Sequence, residues 1–253
     1  MLSKNKQKLI TSLARKKHRD QEQLFVAEGH KLVDDLLTTS LKCKILIATD
    51  EWLNSNKNYL NNTEIINASL NEIKKVSSLK STPPVMAVFE QPATNFDYEQ
   101  LSTKLSLFLD DIQDPGNLGT IVRMADWFGI EDVFCTKGCA DIYNSKTVQS
   151  TMGAIARVKV HYIEAANFFD SIDNVEIYGT FLEGDNLYQT DLKANGIIVM
   201  GNEGNGISKE VEKYVSTKIN IPNYPPESAT SESLNVAVAT AITCAEFRRQ
   251  LAF

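Results

Sequence analysis

From Ser3 to Leu13 apolar residues recur at helical spacing, which predicts a first helix. A short apolar step, Leu24–Ala27, and Gly29 then lead into a helix with Leu32, Val33, Leu36 and Leu37 on one face. The run LKCKILIATDEWL predicts a strand, NTEIINASLNEIKKVSSLK a short strand and a helix, and PPVMAVFEQP a closing strand. Residues 1–95 therefore form a small α/β unit. The polar stretch Gln91–Thr103, with Pro92 in it, is the boundary, so 96–104 is expected as a linker. Beyond it the alternation becomes regular. Strands are predicted at Leu105–Leu109, Asp132–Cys135, Arg157–Tyr162, Glu176–Phe181, Ile197–Met200 and Lys218–Ile221. Helices are predicted at about Asn117–Phe128, Ser145–Ala154, Ala165–Ile172 and Lys209–Val215. A last helix carries Leu234, Val238, Ala241, Ile242 and Ala245 on one face, opened by Ser231–Glu232–Ser233. Apolar strands separated by helices imply a largely parallel sheet covered on both faces, across 105–253.

The 253 residues, 43% of them apolar, suffice for two cores. No run has transmembrane length, and the basic N-terminus lacks the apolar segment of a signal peptide, so the protein is expected to be cytoplasmic. The four cysteines form no Cys-x-x-Cys pair, and Cys135 and Cys139 have no histidine nearby in sequence, so they are read as reduced structural thiols and no metal is expected. Charge divides the chain. Met1–Asn95 has 14 Lys+Arg against 10 Asp+Glu, and Phe96–Phe253 has 12 against 22. Lys4, Lys6, Lys8, Arg15, Lys16, Lys17 and Arg19 all precede the first acid, Asp20. Such an arm is either a polyanion-binding surface or a solvated charged helix.

Ligands of parallel sheets sit at the C-terminal ends of strands, and three segments fall there: DDIQDPGNLGTIVR, MGNEGNGIS and IPN…SESLN. Asp114–Pro115–Gly116–Asn117 is a turn by composition, with Arg123 on the helix that follows. The glycine loop is neither a P-loop nor a dinucleotide fingerprint, and Glu203 inside it suits a ligand that is not a polyphosphate. Ser233 and Asn235 beside Leu234 serve either as helix caps or as ligand contacts.

In order and spacing the three segments, DPGNLGTIVR, MGNEGNGIS and IPN followed by SLNVAVA, resemble the SpoU-type RNA ribose 2′-O-methyltransferases of the SPOUT class, over roughly Leu105–Phe253. LARKKHRDQEQLFVAEGHKLVDDLL resembles the ribosomal-protein-like α/β domain attached to many of them. The resemblance implies an α/β-knot (trefoil) methyltransferase domain at 105–253, behind a smaller RNA substrate-binding domain at 1–95. It implies S-adenosylmethionine as cofactor, with Thr180, Leu182, Gly201, Ile221 and Leu234 at the matching positions. Asn117, Arg123, Glu203, Ser233 and Asn235 match the catalytic positions. A homodimer acting on structured RNA, rRNA ahead of tRNA, is the implied assembly, with the active site near the subunit interface. Asn223 stands where the family has Met, the loop Tyr224–Glu232 is long, Gln149 stands where Arg is common and Ala237 replaces a Ser. No catalytic position is lost.

Family schemes make Arg123 the general base. A guanidinium keeps its charge, with a pKa above about 12, so stabilising a developing alkoxide is the alternative role. Glu203 either accepts the proton or orients Asn117. A nicotinamide-dependent enzyme would need its glycine fingerprint after the first strand, where this chain has DIQDPGN. The remaining alternative is a catalytically inactive RNA-binding module of the same fold.

Overall fold

The computed structural model describes residues 1–56, 63–225 and 233–252. The chain divides into two units, 1–93 with 141–156, and 94–140 with 157–253.

In the first unit the elements in chain order are α1 (Lys4–Ser12), α2 (Lys16–Glu22), β1 (Leu24–Glu28), α3 (His30–Leu37), β2 (Cys43–Ala48), α4 (Asp50–Ser55), β3 (Glu64–Asn67), α5 (Leu70–Lys74) and β4 (Val85–Glu90). The strands pair in the order β1-β4-β2-β3, with only β2 and β3 parallel. Because strand side chains alternate, Leu24, Ile45, Ile47, Met86 and Val88 share one face, which buries Ile10 and Leu13 around α1 and Ile73 of α5. On β1 and β4, Phe25 and Phe89 alternate with these residues and stack at 5.7 Å. Ser69 and Glu72 close a capping box at the start of α5, and Glu72 also accepts the Leu2 N–H at 2.9 Å.

The helix expected at Ser145–Ala154 exists as α7 (Ser145–Thr151), yet it belongs to this first unit and packs on β1 rather than covering the parallel sheet. Two contacts explain the difference. Tyr143 lies 5.1 Å from the Phe25 ring, and Asp141 Oδ2 accepts from Arg19 Nη2 at 2.6 Å and Nε at 3.2 Å.

The second unit holds β5 (Leu105–Leu109), α6 (Pro115–Trp127), β6 (Asp132–Thr136), β7 (Lys159–Ile163), α8 (Ala165–Phe169), β8 (Ile177–Asn186), β9 (Gly196–Met200), α9 (Lys209–Glu212), β10 (Thr217–Asn220) and α10 (Val236–Ala252). Its six strands are all parallel, in the order β10-β8-β9-β5-β6-β7, and β5 and β9 are buried throughout. That is why their sequences are unbroken apolar runs. The expected linker 96–104 is instead part of this unit: its 3-10 turn Tyr98–Ser102 buries Leu101, and Phe96 meets the Phe134 ring edge-on at 4.6 Å. Two apolar side chains in a polar run suffice to dock it.

The chain moves outward from β5 through β6 to β7, then returns to the other side of β5 for β8 and β9. The C-terminal ends of β5 and β9 thus lie at the switch point where open α/β sheets form ligand crevices. β10 lies at the sheet edge, and α10 packs on α6. Phe247 of α10 meets Tyr178 of β8 edge-on at 4.9 Å, and Arg248 Nε donates to Phe128 O at the end of α6 at 2.7 Å. Ser231, Glu232 and most of the loop Tyr224–Glu232 lie outside the described residues.

Candidate active site

At the end of β5, Asp110 is buried and its Oδ2 accepts the Ser208 N–H at 2.8 Å. Asp111 takes a left-handed conformation, φ 59°, and its N–H donates to Thr136 Oγ1 at 2.9 Å. Cys139 fixes the same turn: its Sγ accepts the Ile112 N–H at 3.3 Å and donates to Leu109 O at 3.2 Å. A hydrogen bond with the Cys135 thiol holds the Cys139 thiol below its ordinary range, while burial pushes Cys135 well above. Asp114 then caps α6, accepting the Asn117 N–H at 2.9 Å, with Pro115 as the first helical residue.

In the loop after β9, Asn202 and Gly206 exchange two backbone hydrogen bonds of 2.9 Å. A Cβ at Gly201 would overlap the Gly206 carbonyl carbon and the Ile207 nitrogen, so only glycine fits there. The loop projects Glu203, whose Oε1 accepts from Asn117 Nδ2 at 2.6 Å. Asn117 Oδ1 in turn accepts from Asn235 Nδ2 at 3.1 Å, and Asn235 Oδ1 caps α10 by accepting the N–H groups of Ala237 at 3.0 Å and Val238 at 3.3 Å. Three segments far apart in sequence are joined by one directed chain, Asn235 to Asn117 to Glu203. Asn235 therefore both caps and contacts the site, and α10 starts at Val236, just after the expected Ser231–Ser233 opening.

The other expected residues surround this chain unequally. Ser233 is exposed just before Leu234, which is 47% exposed. Thr180 and Leu182 both lie in β8, which runs past the expected end at Phe181 to Asn186, where it pairs again with β10 after a register shift. Thr180 Oγ1 donates to Val199 O at 3.2 Å, and Asn220 Nδ2 donates to Leu182 O at 2.7 Å, which sets Leu182 beside the approach to Ile221. Leu182 is 73% exposed and Ile221 half-buried.

Arg123 stands apart. Six residues on an α-helix amount to about 120° of net rotation, so it points away from Asn117. It is exposed, and with Met124, Trp127, Phe128 and Ala241 it lines a cavity of about 290 Å³ between α6 and α10. Trp127 there is 83% exposed.

Of the basic arm, Lys4, Lys8, Arg15 and Lys17 are exposed and form no ion pair among the described residues. Lys6 pairs with Glu64, and Lys16 stands 3.9 Å from both Asp20 and Asp141. Arg19 is a correction. It is 2% exposed, bound to Asp141 and to Leu13 O at 2.7 Å, and has no surface to offer RNA. Sequence reasoning also passed over Asp110, Asp111 and Asn202. The Asp-Asp pair ending an apolar strand was the available signal, since aspartate tolerates the left-handed conformation.

A model of the SpoU rRNA methylase family matches residues 104–245, and one of the MRM3-like substrate binding domain matches residues 4–87. The chain is 30% identical, over 90% of its length and 89% of the other's, to the 23S rRNA (guanosine(2553)-2′-O)-methyltransferase RlmP of Bacillus subtilis. A Porphyromonas gingivalis structure assigned to the TrmH family of RNA methyltransferases superposes with TM-score 0.87 at 39% identity, covering 99% of each chain. An rRNA methyltransferase of Sinorhizobium meliloti, solved with bound AdoMet, superposes with TM-score 0.85 at 28% identity over 100% of this chain and 97% of that one.

Proposed function

Since the chain belongs to the SpoU rRNA methylase family, we propose that it transfers a methyl group from S-adenosylmethionine to a ribose 2′-hydroxyl of ribosomal RNA. The observation that carries this reading is the Asn235–Asn117–Glu203 chain, joining the ends of β5 and β9 to the start of α10. RlmP and the Sinorhizobium meliloti enzyme act on rRNA by name, and the latter holds AdoMet. In this reading the first unit, 1–93 with 141–156, binds RNA, and the second, 94–140 with 157–253, performs methyl transfer.

The residues suit that cofactor. Leu182 and Leu234 present exposed apolar side chains that a flat adenine would cover, and Gly201 lets backbone approach closely. Thr180 Oγ1 lies 3.7 Å from Met200 Sδ, next to Gly201, and Ile221 completes the set. No Lys or Arg occurs between Met200 and Ser208, as a polyphosphate site would require. When bound, the cofactor supplies an electrophilic methyl on a sulfonium; the ribose oxygen takes the methyl, the bonding pair stays on sulfur, and the hydroxyl proton is lost.

Glu203 is the titratable carboxylate of the set. Its Oε1 is held by Asn117, leaving Oε2 to accept that proton. Asn117 and Asn235 fix the position of Glu203, and Ser233 contacts the substrate. Arg123, which points away from Asn117 of its own chain, stabilises the developing alkoxide and the neighbouring phosphate across a subunit boundary. Its place beside exposed Trp127, with Ala241 of α10 in the same cavity, supports a homodimer covering the α6/α10 face, which puts Arg123 at the subunit boundary. An inactive RNA-binding module would not need the three-residue chain. Mapping 2′-O-methyl positions in ribosomal RNA from a strain lacking this protein tests the reading: one site should vanish and return with the wild-type gene. An unchanged map would overturn it.

A further inference from the structure

Glu203 is exposed, and among the described residues its side chain meets the rest of the fold through one bond, to Asn117. Its direction depends on the turn 202–206. That turn is organised by Asn202, whose Oδ1 accepts the N–H groups of Gly204 at 2.9 Å and Asn205 at 3.1 Å. Asn202 Nδ2 donates to Asp111 O at 2.8 Å and reaches Asp111 Oδ2 at 3.4 Å. Asp111 is itself over-determined: left-handed, tied to Thr136, with Oδ2 also accepting from Gln113 Nε2 at 3.0 Å. Its Oδ1 occupies the space that a Cβ at Gly138 would fill. One amide thus uses its acceptor to shape the glycine loop and its donors to fasten that loop to the segment leading into α6.

We propose that Asn202, clamped on Asp111, is a positioning residue for methyl transfer, acting through Glu203. The inference rests on the reading of Glu203 as part of the active site. Because loop and helix must both be placed for the Asn117–Glu203 bond to form, freeing the loop from Asp111 misplaces Glu203, and a misplacement of about 1 Å costs on the order of a hundredfold in rate. Cofactor affinity changes less, since the close approach of Gly201 to the Gly206–Ile207 backbone and the Asn202–Gly206 bonds keep the loop's backbone course.

Two variants separate this role from general support of the fold. Asn202→Ala loses every side-chain bond. Asn202→Asp keeps the acceptor for Gly204 and Asn205, loses the donor, and sets a carboxylate against the Asp111 carbonyl and carboxylate. Its activity relative to wild type should therefore rise as pH falls toward the ordinary carboxylate range, where protonation restores a donor. Adding Asp111→Asn supplies a donor from the other side and should recover part of the rate at neutral pH.

The assay is single-turnover transfer of labelled methyl from S-adenosylmethionine to ribosomal RNA extracted from a strain lacking the protein. The whole 253-residue chain is used, with cofactor affinity and thermal midpoint measured in parallel. We expect kcat for Asn202→Ala and Asn202→Asp to fall by about ten- to a hundredfold, with cofactor Kd within about threefold. In a Glu203→Gln background, adding Asn202→Ala should lower the residual rate by less than about twofold, because both act through one group. Full additivity of the two losses, a wild-type rate in either Asn202 variant, or a rate for Asn202→Asp that Asp111→Asn leaves unimproved would overturn the proposal. A wild-type rate in Glu203→Gln would instead overturn the active-site reading beneath it.

Discussion

The structure narrows the basic arm to a quantitative statement about RNA affinity. Of seven early cations, Arg19 is buried against Asp141, and Lys6 and Lys16 stand near acids, which leaves Lys4, Lys8, Arg15 and Lys17. Lys4 and Lys8 lie one turn apart on α1, on the side opposite Ile10, so both face water. Each cation that neutralises a phosphate contributes about −0.7 to −0.9 to the slope of log affinity against log salt, so four contribute about −3. Between 50 and 200 mM salt that slope alone amounts to about a 60-fold loss of affinity. Replacing all four by Gln should flatten the slope by about 3 and leave cofactor binding unchanged. Filter binding or fluorescence anisotropy with ribosomal RNA fragments, as a salt series, reads it directly. A slope identical to wild type would show the arm to be a solvated face. The exposed pairs of Lys6 and Lys16 are weak, so if those side chains exchange acids for phosphates each steepens the wild-type slope by at most about 0.9.

Three further outcomes follow from individual contacts. Asp141→Asn leaves the buried Arg19 guanidinium without its anion and should destabilise the protein by about 3–5 kcal/mol in denaturant titration, whereas a loss below about 1 kcal/mol would contradict the burial argument. The Glu72 carboxyl is held from an ordinary 4.5 down to about 2 by the Ser69 and Leu2 N–H groups and the Ser69 hydroxyl. Its stabilising effect is therefore complete above about pH 4.5 and lost as pH falls through about 2, and a carboxyl NMR titration with a midpoint near 4.5 would refute the capping account. Gly201→Ala forces the loop after β9 open, so cofactor affinity by calorimetry should fall more than about tenfold while the Asn202–Gly206 bridge is lost; unchanged affinity would remove this loop from the cofactor site.

Much of this was legible in the chain. The apolar runs at Leu105–Leu109 and Ile197–Met200 are central strands because both faces are covered, and Asp114-Pro115 marks the start of α6 two residues before Asn117. The resemblance to the SpoU family also brought Asn117, Glu203 and Asn235 into one candidate set, and the structure joins all three by hydrogen bonds. What local pattern does not hold is the partner of a side chain. Arg19 reads like its neighbours until Asp141, 122 residues away, takes its charge. Likewise α7 reads as an ordinary helix, and the contacts of Tyr143 with Phe25 and of Asp141 with Arg19 reveal which sheet it covers. The extension of β8 to Asn186 depends on a register shift against β10, invisible in the run Glu183–Asn186, which has no apolar alternation. Arg123 was grouped with Asn117 by motif, and helix geometry turns it toward the α6/α10 face instead.

The central claim is ribose methylation by the site built around Glu203, Asn117 and Asn235, with Arg123 supplied across a subunit boundary. Its most direct test is to incubate the full-length protein with methyl-labelled S-adenosylmethionine and ribosomal RNA from a strain lacking it, then digest the RNA and identify the labelled nucleoside. The account predicts label in a 2′-O-methylated nucleoside, retained in an alkali-resistant dinucleotide, and reduced to background by Arg123→Ala with cofactor affinity preserved. Label in a base-methylated nucleoside, or no label from wild-type protein that binds the cofactor, would contradict it.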